Sequence, residues 1–142
     1  QTLVPIDRRK LRRSLTRALI KMGCRGCELS VLLVDDPQIR QMNRSYRGID
    51  RPTNVLAFGM GQGTPAGEQP RVLGDVAVSV ETASRECSRW GHRVQPHVLY
   101  LALHGLLHLL GYDDEGSVRR ARQMNAVLEE LFLACGCAQG SL

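Results

Sequence analysis

The stretch from Gln95 to Leu110 (QPHVLYLALHGLLHLL) constrains the fold more than any other part of the chain. It has the length of about four helical turns. It is also apolar almost all round, so no face of it can be left to water. Other elements must wrap it, and it becomes a buried central helix. It is too short, and too interrupted by His104, Gly105 and His108, to span a bilayer. A chain of 142 residues has room for one such core and hardly for two, which predicts a single domain over residues 1–142.

The flanking sequence supplies the covering elements. From Asp7 to Met22, Leu11, Leu15, Ala18, Leu19 and Met22 recur at helical spacing, with Asp7 placed as N-cap. Arg8, Arg9, Lys10, Arg12, Arg13 and Arg17 fill the opposite face, either as a solvated surface or as a phosphate-facing one. Glu28 to Val34 reads as a strand. Asp35-Asp36-Pro37 opens a helix that turns Ile39, Met42 and Tyr46 inward and ends near Gly48. Asn54 to Phe58 and Arg71 to Val80 read as two further strands, and a short helix runs from Glu81 to about Trp90. The glycines and prolines between Gly59 and Pro70 predict a mobile surface loop. After a break at Gly111 to Gly116, Val118 to Cys135 carries Ala121, Met124, Leu128, Leu131 and Phe132 at helical spacing. Strands early and helices late predict an α+β domain, a small mixed sheet packed by helices.

Composition narrows the class. Hydrophobic residues at 43% and charged residues at 23% exclude a disordered or collagen-like chain. The chain opens at Gln1 without a charged-then-apolar leader, so the expected setting is cytosolic, with no membrane partner. Lys plus Arg total 19 against 14 Asp plus Glu, and only Lys10 and Lys21 are lysines. An arginine-rich surface suits phosphate, although the same excess also describes an ordinary solvated surface. Five cysteines fit free thiols better than a disulfide framework. Cys24-Arg-Gly-Cys27 has zinc-knuckle spacing, but Cys135-Gly-Cys137 is one residue short of a matching second turn. Cys87 is expected to pack as a small hydrophobe.

Chemistry concentrates at the end of the apolar helix. His104 and His108 stand at i and i+4, about 6 Å apart along the axis and on one face. They either hydrogen-bond within a core or converge on one metal ion. Burying two imidazoles in hydrocarbon is costly unless both are satisfied, which favours the metal. Gly111 ends the helix and lets Asp113 or Asp114 return as a third ligand, leaving an open position for catalysis. His97 lies two turns earlier, about 10 Å away, too far to share that ion. His92 reads as a surface residue. Gly105 follows His104 where a zinc peptidase of the H-E-x-x-H type carries its glutamate, so peptide hydrolysis by that route is disfavoured.

His104 to Asp114 (HGLLHLLGYDD) resembles the H-G-x-L-H-L-x-G-Y-D-H signature of the YbeY family of metal-dependent endoribonucleases. Met42 to Phe58 (MNRSYRGIDRPTNVLAF) is similar to that family's L-N-x-x-Y-R-x-x-D-x-P-T-(D/N)-V-L-S-F block, and Leu73 to Ser79 (LGDVAVS) to its L-G-D-I-x-I-S strand. The resemblance implies a zincin-like fold, a cytoplasmic location, one bound zinc and cleavage of single-stranded RNA. It further implies a role in maturing the 3′ end of small-subunit ribosomal RNA and in ribosome quality control. Ribosomal small-subunit proteins or an assembly GTPase would be the partners.

Residue by residue, the resemblance puts the metal ligands on His104, His108 and position 114, and a catalytic role on Arg47 and His104. Without it, Arg47 reads as a partner for Asp50. At position 114 the chain departs from the family, with Asp for His. A carboxylate is a legitimate zinc ligand. It lowers the net charge of the site, acidifies bound water less than a third imidazole would, and hardens the donors toward Mn or Ni. Two other readings stay open: a metal hydrolase of a non-RNA substrate, and an RNA-binding assembly factor that uses Arg8 to Arg17 and a structural metal.

Overall fold

The computed structural model describes residues 5–59 and 72–140. Each element begins where the sequence supplies a cap. Helix α1 (Arg8–Lys21) starts at Asp7, whose carboxylate accepts from the backbone N–H groups of Arg9 and Lys10. Strand β1 (Glu28–Val34) follows. Helix α2 (Asp36–Arg47) opens on a reciprocal capping box: Asp35 accepts from the Gln38 N–H, and Gln38 accepts from the Asp35 N–H. It closes on Gly48, whose φ of 71° is the left-handed conformation glycine adopts without strain. Strands β2 (Val55–Gly59) and β3 (Val72–Ser79) are followed by α3 (Val80–Glu86), which Ser79 caps. The last two helices are α4 (Val94–Leu109) and α5 (Val118–Gly140).

The sheet runs in the order β1-β3-β2, with β1 parallel and β2 antiparallel to β3. It is therefore mixed, as the sequence predicts, and β2 has a free edge among the described residues. Alternation divides β3 between two layers. Val76 and Val78 pack under α4 with α1 and α5, whereas Ala77 joins Leu56, Val34 and Ile39 beneath α2. Helix α4 is the centre of the larger layer: Val98, Leu99, Ala102, Leu103, Leu106 and Leu107 are wholly buried. Met124, Leu128 and Leu131 of α5 and Leu11, Leu15 and Ala18 of α1 cover it. Gln95 ties α4 to the start of α1 by exchanging two hydrogen bonds with the Asp7 backbone.

Three expectations need correction. Tyr46 does not point inward; it is 69% exposed, and Asn43 takes the buried place on α2. The segment from Glu81 to Trp90 is a two-turn helix followed by a 3-10 turn (Cys87–Trp90) rather than one helix. The final helix runs on to Gly140. Apart from Gly59, the loop expected up to Pro70 lies outside the described residues. No helix among the described residues is long and apolar enough to cross a membrane.

Candidate metal centre

Helix α4 places His104 and His108 one turn apart, with ring centroids separated by 4.9 Å and the rings nearly perpendicular. The helix stops at Leu110, and Gly111, with φ of 97°, turns the chain back. Asp113 spends its carboxylate locally, accepting from the Glu115 N–H at 2.9 Å. The next residue, Asp114, reaches the histidines: Oδ2 lies 3.4 Å from His104 Nε2, and Oδ1 lies 3.7 Å from His108 Nε2. The three ligand atoms lie within 4.8 Å of one another, and they form the one such metal-competent group among the described residues.

These spacings fit a metal ion. Donors at about 2.1 Å from a tetrahedral zinc stand about 3.4 Å from one another. All three donors line one cavity, so an ion held by them would be reached from it. Burial, and then the neighbouring His108 charge, push the His104 imidazole below its ordinary value, against the pull of Asp114. His104 is thereby kept in the neutral form that ligates.

The group opens into a cavity of about 790 Å³, bounded by the free edge of β2, the C-terminal turn of α2 and the exposed side of α4. Arg47, the last residue of α2, lines it together with Tyr46 and Phe58. The sequence alone suggested Asp50 as the partner of Arg47; the structure gives Asp50 to Arg40, at 2.8 Å. Arg47 makes no ion pair among the described residues and stays exposed at the cavity rim.

Two histidines lie elsewhere. His97 is wholly buried and its Nε2–H donates to Glu86 at 2.7 Å. Its Nδ1 lies 2.9 Å from Nδ1 of His92, so in the neutral pair His92 donates and His97 accepts. His92 is thus half-buried against Trp90, Tyr100 and Phe132, not the surface residue the sequence suggested. Glu86 also accepts from Asn54, which lines the metal cavity. Spacing in the sequence gave no sign of this relay, because Asn54, Glu86 and His97 sit on different elements. Cys24 and Cys27 belong to no metal-holding group of three or more among the described residues. Cys87 is buried, as expected for a small hydrophobe.

The family model described as Endoribonuclease YbeY matches residues 4–136. The chain belongs to the YbeY family. A YbeY relative from Pelotomaculum thermopropionicum is 48% identical over 95 residues, which are 66% of this chain and 62% of that protein. Another, from Geobacter sulfurreducens, is 44% identical over 129 residues, 90% of this chain and 86% of the relative. Both are named Endoribonuclease YbeY. The solution structure of TM1509 from Thermotoga maritima superposes with a TM-score of 0.57 at 23% identity, covering 94% of this chain and 87% of that one, and shows the same fold. Of the three blocks that resemble YbeY sequences, those on α2 with β2 and at the end of α4 line the cavity, and the one on β3 pairs with β2 beside it.

Proposed function

We propose that this chain is an endoribonuclease that cuts single-stranded RNA in the β2-edge cavity, with one zinc ion on His104, His108 and Asp114. The observation that carries the reading is the Asp114 carboxylate, set at ligand spacing from both imidazoles in the cavity that also holds Arg47. When bound, the ion supplies a Lewis acid for the phosphodiester. The protein's own contribution is geometric and electrostatic. Helix α4 is locked in the core, so its two imidazoles are held in fixed relation, and Asp114 closes the triangle from the returning chain. Arg47 binds a non-bridging phosphate oxygen and offsets the charge that develops there as the bond breaks. Manganese or nickel would satisfy the same donors.

The RNA we assign is ribosomal, at the 3′ end of the small-subunit species, in the cytoplasm and with ribosomal proteins or an assembly GTPase as partners. Family membership supports this assignment. The test is cleavage of a single-stranded RNA by the full chain. Arg47→Ala lowers kcat by about 10²–10³-fold, and chelation abolishes cutting until zinc is restored. RNA binding that falls with salt and survives chelation, with no cutting, would instead favour an assembly factor acting through the arginine face of α1.

A further inference from the structure

Tyr46 is a large aromatic side chain left 69% exposed at the rim of the metal cavity. One face of its ring rests on Phe58 of β2, with centroids 4.3 Å apart and planes inclined by 39°. No second ring packs against Tyr46 among the described residues, and most of its surface meets solvent. Arg47 is the next residue and lines the same cavity, with its side chain exposed. An aromatic plane beside a guanidinium is how proteins hold single-stranded nucleic acid: the cation follows the phosphates, and a base, whatever its identity, stacks on the ring. Packing alone gives a poor account of the side chain, because burying only about a third of its surface recovers little of what a buried tyrosine would.

We infer that Tyr46, backed by Phe58, is a base-stacking subsite for the RNA strand whose phosphate lies at the His104–His108–Asp114 group. This rests on the endoribonuclease reading and adds to it. The subsite accepts an unpaired base and excludes a paired one, whose faces are already stacked within a duplex, so it gives the cavity a preference for single strands. It reads no sequence, since every base offers a π face.

The test is the affinity of the zinc-loaded full chain for a single-stranded RNA with 2′-O-methyl riboses, a non-cleavable probe, measured by fluorescence anisotropy. Tyr46→Phe keeps the ring and binds as the unsubstituted chain does. Tyr46→Leu keeps apolar contact with Phe58, loses the π face, and weakens binding by about 5- to 100-fold. Abasic sites placed one at a time along the probe then locate the subsite. At one position the abasic probe weakens the unsubstituted chain to the level of Tyr46→Leu and leaves Tyr46→Leu unchanged. Equal affinities for the chain with and without the ring, or abasic losses that add to the Tyr46→Leu loss at every position, would overturn the inference. Cleavage of the matching unmodified RNA separates the two claims. Cutting that ignores Tyr46→Leu, with unchanged affinity, sinks the subsite alone; ring-dependent binding without cutting sinks the nuclease reading alone.

Discussion

A Cβ at Gly105 would come 2.7 Å from Cγ1 of Val76 and 3.4 Å from Cγ2 of Val55. Gly105, the first of the three residues between the two ligand histidines, is therefore a point where α4 lies close on the sheet. This gives a steric reason for the missing glutamate of the zinc-peptidase motif: the side chain would point into β3, not into the cavity. Val76 is β-branched and wholly buried, so it has little freedom to move aside. Gly105→Ala should destabilise the chain by about 1–3 kcal/mol in urea denaturation. Asp114 sits at the opposite extreme, partly exposed, and among the described residues its carboxylate meets only the two histidines. Asp114→Ala should leave stability without metal nearly unchanged. It should weaken zinc affinity, read by competition with a chelating dye, by more than the roughly 10–100-fold that losing an outer partner costs. Asp114→His should also hold the ion.

Among the elements, α2 and α4 show where periodicity informs and where it stops. The pattern of α4 announced a helix covered on every side, and ten of its residues are buried. On α2 the same arithmetic put Tyr46 on the inward stripe; its ring reaches Phe58 of β2 but stays mostly exposed. The strand beneath ends one residue past Phe58, so the stripe runs out over a cavity. The cap of α1 and the start of α2 were legible because such signals act within four positions, although the α2 cap is Asp35, one residue before the place a first helical proline implies. The Asn54–Glu86–His97–His92 relay was not, since its partners meet only after α3 packs on α4. That relay has a pH signature. Burial, and then the charge of His97, push the His92 imidazole down from its ordinary value of 6.5, against the pull of Glu129. The unfolded chain then binds the proton more readily than the folded one. His92 thus contributes stability that is present above pH 6.5 and lost as pH falls through the lower folded value. The melting temperature of metal-free protein should fall between about pH 7.5 and about pH 5.5, and His92→Asn should flatten that slope. His104, lowered for related reasons, leaves a residual slope in the variant.

At the scale of the molecule, the mixed sheet and its order were beyond the sequence, because the parallel pairing of β1 with β3 joins segments more than forty residues apart. The α+β class was legible from the succession of strands and helices, and the likeness to YbeY sequences pointed to the same fold. That sheet order leaves β2 at an edge and puts α2 and α4 on opposite faces of it. The arginine from one helix and the histidines from the other then line one cavity at that edge, with Asp114 supplied by the turn after α4. The account stands on a single divalent ion at that meeting point serving RNA cleavage. The most direct measurement is metal content by elemental analysis, taken on the same samples as single-stranded RNA cleavage, for the unsubstituted chain and for His104→Ala and Asp114→Ala. The account predicts one ion per chain with cutting, and loss of both together in each variant. Cutting that persists in samples without the ion would contradict it.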